Sequence, residues 1–336
     1  MTLKFKKVLI TGGAGCIGMP LCKNILQKGT QVVLFDLYEQ IETVKPFLDK
    51  RIVKFCGSIL DKTSMREAME GCDAIIHLAA HLGVGRTERN KLRCLDINID
   101  GTKNLLEVAN MNGSVKKIIF ASSSEVYGEP IKNPIRETDI TQGKTVYAIS
   151  KLAGEELVKA YSAEYSKFNY TILRYFNTYG PHQIAQFVIP RFINNVLSNK
   201  SPIIYGNGLQ KRSYNFSEDT ARATADSLFS SASDNQILNI GNSLEPINLI
   251  DLAKLIIKVC KKEDEVNLKI IENFKETDRD VHREIYKRYC DTSLAREIIN
   301  YEPRVSLKEG IEKVVKVGIP NVSWAASERV YTLDKF

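Results

Sequence analysis

The sequence has 336 residues, a length that fits two domains or one large α/β unit with an appended lobe. Hydrophobic residues at 43% and charged residues at 26% are ordinary values for a globular protein and exclude collagen-like, disordered and coiled-coil proteins. The net charge is +7, but the basic residues are scattered rather than clustered, so we expect no nucleic-acid partner. The basic surplus fits an anionic small substrate equally well.

Seven cysteines occur in apolar segments without a CxxC pair, which predicts reduced thiols and a cytoplasmic location. The N-terminal residues lead directly into a strand-like segment, so we expect no signal peptide. All apolar runs are shorter than the ~18 residues of a membrane-spanning helix, and we expect no membrane partner. His77 and His81 lack a third ligand at suitable spacing, so no metal site is expected.

Short β-rich segments alternate with helical patterns through the first half of the chain. This alternation predicts parallel βαβ units and a Rossmann-like, doubly wound α/β fold. The predicted strands cover residues 7–10, 31–35, 52–55, 74–78, 117–121 and 170–173. The predicted helices cover about 16–29, 62–69, 93–111 and 146–165.

From Gly180 onward the pattern is irregular, with turn signals and two helical stretches at about 249–260 and 292–299. We therefore predict a nucleotide-binding sheet domain over residues 1–178 and a smaller C-terminal substrate-binding lobe over 179–336. The apolar segment near 235–241 is the exception, because it is predicted to return to the main sheet as a strand.

A glycine-rich segment follows the first predicted strand and opens the first helix. Glycines let the backbone turn tightly and approach a pyrophosphate, which the helix N-terminus attracts. Asp36 ends the second predicted strand, where a carboxylate accepts the ribose hydroxyls of NAD and repels the 2′-phosphate of NADP. The sequence thus predicts an NAD site, with NADP left open because loop residues can override one aspartate. The predicted contacts in the glycine segment are Gly12, Gly15, Cys16, Ile17 and Gly18.

Tyr147 and Lys151 are four residues apart in a predicted helix, which puts them on one face. A lysine ammonium stabilises phenolate and lowers the pKa of a tyrosine, so that it can act as a general base. Ser123 lies in a serine run directly after the strand predicted at 117–121, at the sheet edge where such folds bind ligands. Each motif alone is common, and the combination is what predicts a catalytic site.

Together, these motifs resemble the extended short-chain dehydrogenase/reductase family, the NAD-dependent nucleotide-sugar epimerases and dehydratases. The resemblance runs from Lys6 to Glu312. It implies a catalytic triad of Ser123, Tyr147 and Lys151 that oxidises the sugar at C4, with the tyrosine and the lysine also contacting NAD. The further cofactor contacts that it implies are Ser58, Ile59, Leu78, Ala79, Ala80 and Asn98. Ser58 departs from the aspartate common in the family, and a weaker adenine contact is expected there.

The resemblance also implies a nucleotide-diphosphate sugar as substrate and a homodimer formed through the helices at 93–111 and 146–165. Asn177 and Arg212 are expected to contact the diphosphate, with help from one further arginine, Arg283 or Arg288. Two other candidates for substrate contact are Arg86 and Ser124.

The fate of the 4-keto sugar separates the subclasses of this family. A 4-epimerase needs only the triad and room for the keto sugar to rotate, and it is favoured on that ground. Family dehydratases carry Thr-Asp-Glu where this chain has Ser123, Ser124 and Glu125, so the missing aspartate disfavours dehydration. Glu125 is the fourth catalytic candidate, because the Ser-Glu pair with an arginine such as Arg288 resembles nucleotide-glucuronate decarboxylases, in which charge holds the substrate carboxylate. In a 4-epimerase, Glu125 would instead cap a turn or bind a sugar hydroxyl. A 4-dehydrogenase that releases the keto sugar, and a non-catalytic NAD-binding regulator, also stay open.

Overall fold

The structure, a computed structural model, describes residues 4–184, 186–272 and 285–318. Its strands are β1 (Lys7–Thr11), β2 (Gln31–Asp36), β3 (Val53–Cys56), β4 (Ala74–His77), β5 (Lys117–Ser123), β6 (Asn169–Tyr175), β7 (Thr178–Tyr179), β8 (Ile203–Tyr205), β9 (Lys211–Arg212), β10 (Asn215–Phe216), β11 (Gln236–Ile240), β12 (Ile247–Asn248), β13 (Lys269–Ile271) and β14 (Lys287–Arg288). Its α-helices are α1 (Gly18–Gln27), α2 (Tyr38–Val44), α3 (Lys62–Ala68), α4 (Val84–Arg89), α5 (Lys91–Leu95), α6 (Gly101–Asn112), α7 (Val146–Tyr165), α8 (Val188–Leu197), α9 (Ser217–Phe229), α10 (Leu249–Val259), α11 (Ser293–Ile299) and α12 (Leu307–Val317).

Seven strands form one parallel sheet in the order β11-β6-β5-β4-β1-β2-β3. Helices cover both faces, which explains why the central strands are nearly continuous apolar runs. The strand order reverses between β1 and β4, and ligands of such folds bind at this switch point, outside the carboxyl ends of the strands. The predicted Rossmann-like fold is confirmed.

The two faces of the sheet are covered by helices from different parts of the chain. One face packs against α1, α9 and α11, and the other packs against α3, α6 and α7. The segment predicted near 235–241 forms β11, which pairs with β6 at the sheet edge. Because α9, β11 and α11 come from the second half of the chain, residues beyond 179 complete the main sheet layer. The division at residues 178 and 179 stays a prediction.

A second hydrophobic core lies beside the carboxyl edge of the sheet. It is formed by α8, α10 and α12 with the short strands β7, β8 and β10, and includes Phe192, Ile256 and Ile311. Three small sheets accompany this lobe: β10 with β7, β13 with β8, and β12-β9-β14. None of the described helices is long and apolar enough to cross a membrane.

The helix predicted at 93–111 is interrupted in the structure. Between α5 and α6 the chain forms one wide turn of π-helix at Asp96–Asp100. Asn98, at its centre, is buried and hydrogen-bonded to groups outside its own helix. A π-turn of this kind commonly marks a functional site, and it is invisible to helical periodicity.

Candidate active site

A cleft of about 1270 Å³ lies between the carboxyl edge of the main sheet and the second lobe. The glycine loop after β1, the loop after β4, the serine segment after β5, the start of α7 and the short strand β9 all contribute to its wall. The parallel strands deliver these segments to one edge, so residues that are far apart in sequence meet there.

The glycine loop forms the floor of the cleft between β1 and α1. Gly12 has a φ of +69°, and a Cβ there would lie 2.6 Å from the backbone nitrogen of Ala79. Only glycine fits this close approach of two backbones. The N-terminus of α1 has no side-chain cap at Ile17. The Met19 N–H donates to the Gly15 carbonyl at 3.1 Å and Pro20 has no N–H, so the attraction for a ligand phosphate at this end comes from the helix dipole and the N–H groups of the preceding loop. Gly15, Cys16, Ile17 and Gly18 all line the cleft.

Asp36, at the end of β2, also lines the cleft. Its carboxylate accepts hydrogen bonds from the backbone nitrogens of Ala14, at 3.0 Å, and Leu37, at 2.8 Å. Burial raises the pKa of Asp36 to about 6, and the two backbone hydrogen bonds oppose that rise. A glycine loop against a helix N-terminus, with a carboxylate at the next strand end, fits NAD.

The other predicted cofactor residues divide into two groups. Ile59, Leu78, Ala79 and Ala80 line the cleft. Ser58 does not belong to the cleft lining, and its hydroxyl accepts a hydrogen bond from the backbone nitrogen of Leu60 at 3.2 Å.

Asn98 is also outside the cleft lining, and it supports the loop that follows β4. Its Oδ1 accepts from the His81 nitrogen at 2.7 Å, and its Nδ2 donates to the His81 carbonyl at 3.0 Å. The same amide donates to the Ser150 hydroxyl of α7 at 2.9 Å. Asn98 thus joins a cleft-lining loop to the helix that carries Tyr147 and Lys151.

Tyr147 and Lys151 face the cleft from the first turns of α7. The Lys151 ammonium lies 5.9 Å from the centre of the Tyr147 ring and donates to the Ala121 carbonyl at 2.7 Å. Burial lowers the pKa of Lys151 to about 8. Burial and the Glu125 carboxylate raise the pKa of Tyr147, whereas the Ser123 hydroxyl acts in the opposite direction. A phenol, an ammonium and a hydroxyl are thereby brought together for acid–base chemistry.

The serine segment begins where β5 ends. The Ser123 hydroxyl accepts from the Glu125 nitrogen at 3.2 Å and so starts a 3-10 turn at Ser124–Tyr127. Glu125 is half-buried and accepts from the Thr145 hydroxyl at 3.2 Å, while Thr145 caps α7 at the Ala148 nitrogen. Ser123, Ser124 and Glu125 therefore all lie in the cleft wall, tied to the start of α7.

Two predicted substrate arginines meet on the second lobe. Arg212 in β9 and Arg288 in β14 are partners in the strand register, and both line the cleft. Arg212 donates to the carbonyls of Lys211 and Ile285. Arg288 is only 7% exposed, and its Nε has no hydrogen-bond partner among the described residues. Its charge acts on the Tyr147 phenol in the direction that favours phenolate.

The remaining substrate candidates have separate positions. Asn177 lines the cleft with a φ of +42° and donates to the Ser213 carbonyl at 2.9 Å. Arg86 is buried in the cleft wall beside His81, whose pKa is lowered to about 4 by burial and by nearby arginines. Arg283 lies outside the described residues, so the structure gives a position to Arg288 alone.

Sequence reasoning missed Thr145 and Gln210. Thr145 directly precedes an apolar helical run, and this position is an N-cap signal present in the sequence. Gln210 is 4% exposed and lines the cleft two positions before Arg212, with no local signal in the sequence. No cluster of three or more His, Cys, Asp or Glu side chains suited to a metal occurs in the part of the chain that the structure describes.

Comparisons with known proteins show the family of this chain. The profile of the NAD dependent epimerase/dehydratase family matches residues 8–241. A UDP-N-acetyl-alpha-D-glucosaminuronate decarboxylase of Bacillus cytotoxicus is 32% identical over 320 residues, which cover 93% of this chain and 97% of that protein. A UDP-glucuronate 4-epimerase of Thermodesulfobacterium geofontis is 29% identical over 334 residues, covering 96% and 99%.

Solved structures give the same result. The UDP-glucuronic acid 4-epimerase of Bacillus cereus, in complex with UDP-glucuronic acid and NAD, superimposes with a TM-score of 0.82 at 28% identity, over 93% of this chain and 98% of that one. The chain therefore belongs to the NAD-dependent epimerase/dehydratase family. It is an NAD-dependent nucleotide-sugar enzyme of the extended short-chain dehydrogenase/reductase type, so the predicted family and cofactor are confirmed.

Proposed function

We propose that this chain is a 4-epimerase of a UDP-sugar, with Ser123, Tyr147 and Lys151 as catalytic residues. The observation that carries the proposal is the meeting of the Tyr147 phenol, the Lys151 ammonium and the Ser123 hydroxyl in one cleft wall. Relatives that act at sugar C4 support it, among them UDP-glucuronate 4-epimerases.

Each residue has a distinct part in the proposed reaction. NAD, when bound, supplies the acceptor and later the donor of the C4 hydride. Tyr147 removes the proton of the C4 hydroxyl and later returns it, while Ser123 holds the same oxygen by a hydrogen bond. Lys151 stabilises the phenolate form of Tyr147 by its charge.

The second lobe holds the diphosphate in this proposal. Arg288 is a buried cation whose Nε has no hydrogen-bond partner among the described residues, and such a group is stabilised when an anion enters. Arg212 and Asn177 lie on the same cleft and are proposed as its companions. Arg86 and Ser124 are proposed to contact the sugar.

A decarboxylase is the second candidate, and one observation favours it. Glu125 and Arg288 both act on the Tyr147 phenol, so an acid–base group and a cation flank the reacting end of the cleft. That pair suits a sugar bearing a carboxylate, and the Bacillus cytotoxicus relative is named as a decarboxylase of such a sugar. Dehydration is disfavoured because Ser124 stands where the dehydratase aspartate is expected.

The test is incubation of the NAD-loaded protein with UDP-glucose, UDP-glucuronate, UDP-N-acetylglucosamine, UDP-N-acetylglucosaminuronate and dTDP-glucose, followed by chromatography and mass spectrometry. A 4-epimerase gives a separable product of unchanged composition. Loss of carbon dioxide identifies a decarboxylase, loss of water a dehydratase, and loss of two hydrogens a dehydrogenase. Either of the last two results would contradict both candidates.

We also propose a homodimer formed through α5, α6 and α7. These helices expose large apolar side chains at Leu92, Met111, Ile149 and Tyr165. Light scattering after gel filtration tests the assignment with Ile149→Asp, which is expected to give monomers. Leu244→Asp, at a residue 74% exposed in a loop of the second lobe, is the control and is expected to leave the dimer intact. If the wild-type protein is a monomer in solution, the proposed homodimer is refuted.

A cytoplasmic location completes the proposal. All seven cysteines are free thiols, which suits a reducing compartment. Cell fractionation checks this, and recovery of the protein in a secreted fraction would contradict it.

A further inference from the structure

A buried group of side chains joins the serine segment to α7 beneath the cleft. Lys151 donates to the Ala121 carbonyl at 2.7 Å, and one helical turn later Glu155 accepts a hydrogen bond from the Ser122 hydroxyl. Two consecutive residues of β5 are thus tied to two side chains that are one turn apart on α7. The next residue of β5 is Ser123.

Glu155 is held in turn by Arg174 of β6. The guanidinium donates two bonds to the carboxylate, one from Nε at 2.9 Å and one from Nη2 at 2.7 Å. Both side chains are buried, with 1% of Glu155 and 4% of Arg174 exposed. A two-point ion pair fixes geometry, and breaking it leaves a buried charge uncompensated.

Arg174 also reaches the turn that follows β5. Its Nη1 donates to the Tyr127 hydroxyl at 2.9 Å, and its guanidinium carbon lies 4.8 Å from the centre of the Tyr127 ring. The Tyr127 hydroxyl donates onward to Asn239 of β11 at 2.7 Å. Tyr127 ends the turn that carries Glu125, so the ion pair fixes the serine segment at Ser122 and again at Tyr127.

The charge of Glu155 acts on Lys151 as well. The ionisable groups around the Lys151 ammonium come from β4, α5 and α7 and are His77, Cys94, Tyr147 and Glu155. Burial raises the pKa of Cys94 and lowers the pKa of His77 to about 3, so both are neutral at physiological pH. Burial likewise raises the pKa of Tyr147. Glu155 is therefore the carboxylate that acts on the Lys151 ammonium itself, whereas the Glu125 carboxylate acts on the neighbouring Tyr147 phenol and Cys94 thiol.

We propose that Glu155 and Arg174 are positioning residues for the reaction at the sugar. They hold Ser123 against α7, and the Glu155 carboxylate keeps the Lys151 ammonium protonated beside the Tyr147 phenol. The reaction itself rests on the proposed function, whereas the effect on Lys151 is measurable without any substrate.

The test is the titration of Lys151 in the NAD-loaded full chain, compared between wild type and Glu155→Gln. Lysines are labelled with carbon-13 at Cε, and the Lys151 resonance is the one missing from Lys151→Arg. Loss of the Glu155 carboxylate removes the negative charge that acts on the Lys151 ammonium, so the Lys151 midpoint is expected to fall, by about one pH unit. With the nucleotide sugar that wild type converts, the alkaline limb of kcat is expected to move down by the same shift while KM changes little.

Asp234→Asn is the matched control. Asp234 pairs with the buried Lys117 at the opposite end of β5, so this variant breaks an ion pair that holds the far end of the strand that Glu155 holds through Ser122. It is expected to lower the thermal unfolding midpoint and to leave the Lys151 titration unchanged. If Glu155→Gln does not fold, the double variant Glu155→Gln/Arg174→Met removes both charges and is expected to lower the Lys151 midpoint in the same direction.

An unmoved Lys151 midpoint in the folded variant, or an equal shift in Asp234→Asn, would overturn the proposal. So would a shifted Lys151 midpoint with an unshifted alkaline limb of kcat. If the midpoint shifts while wild type converts no nucleotide sugar, the proposed function fails and the electrostatic role of Glu155 stands.

Discussion

The site on the main sheet and the site on the second lobe differ in how their buried charges are stabilised. On the sheet, the Lys151 ammonium donates to the Ala121 carbonyl, and Glu155 is paired with Arg174. On the lobe, Arg288 is nearly as buried, and its Nε has no hydrogen-bond partner among the described residues. A buried donor without a partner is costly, so the proposed lobe site is expected to gain stability when an anionic ligand enters, whereas the proposed catalytic groups on the sheet already have partners.

The largest expected effect comes from the sheet site. Tyr147→Phe removes the proposed general base and is expected to lower turnover by about a thousandfold. NAD affinity, measured by calorimetry, is expected to change far less, because the glycine loop and Asp36 are untouched. Turnover close to that of wild type would show that Tyr147 is not the base and that the sheet site does not carry the proposed chemistry.

Arg288→Met tests the lobe site and has an unusual pair of expected results. The affinity for UDP is expected to fall by about tenfold to a hundredfold, because a charge-assisted contact is lost. The ligand-free protein is expected to unfold at a higher temperature, because a buried cation without a partner at Nε is removed. A ligand-free stability that falls would show that the guanidinium is already satisfied.

The control for that experiment is Arg288→Lys. Lysine keeps the positive charge but lacks the planar guanidinium with its several N–H donors. The UDP affinity of this variant is therefore expected to lie between the affinities of wild type and Arg288→Met. Unchanged UDP affinity in both variants would remove Arg288 from the binding site.

Asp36 gives a smaller effect with a defined pH dependence. Burial raises the pKa of Asp36 to about 6 in the NAD-free protein, so at a pH of about 6 half of the carboxyl groups are protonated. The ribose hydroxyls need the ionised form, and NAD affinity is therefore expected to fall as the pH drops below about 6. Asp36→Asn is expected to bind NAD about tenfold more weakly at pH 7 and to lack this dependence. If NAD affinity depends on pH in Asp36→Asn as it does in wild type, the dependence comes from a group other than Asp36.

The same raised pKa predicts the sign of a stability effect. The folded protein binds the Asp36 proton more tightly than the unfolded chain, whose aspartate has its ordinary pKa near 3.8. This group alone therefore makes the NAD-free protein more stable as the pH falls from 6 towards 4. Asp36→Asn is expected to remove that contribution from the pH dependence of the unfolding midpoint.

The two sites also differ in how far sequence predicts them. The glycine loop, the serine run and the Tyr147–Lys151 spacing are contiguous motifs, each placed by a strand end that apolar patterning reveals. Arg288 lies in a strand of two residues whose register with Arg212 depends on tertiary pairing, so sequence could not choose between Arg283 and Arg288. Patterning also cannot show which buried polar groups pair with each other, and for this reason the Glu155–Arg174 pair emerged only from the structure.

The smallest expected effect concerns Asn98, for which a cofactor contact and a supporting role predict different results. The resemblance implied a contact with NAD, whereas the structure shows hydrogen bonds to both backbone groups of His81 and to Ser150. Asn98→Ala removes these hydrogen bonds. It is expected to lower the free energy of unfolding by about 1–2 kcal/mol and to speed hydrogen exchange at the His81 amide.

Asn98→Asp separates the parts of this support. This variant keeps an acceptor for the His81 amide, so that amide is expected to stay protected from hydrogen exchange. It loses the donor to the His81 carbonyl and to Ser150, so the contact between the loop and α7 is expected to weaken. If Asn98 only supports the loop, NAD affinity is expected to fall a few-fold in both variants. A loop distortion of about 1 kcal/mol corresponds to a change of that size. A much larger loss of NAD affinity with unchanged exchange at His81 would restore the direct contact and would extend the cofactor site behind the loop after β4.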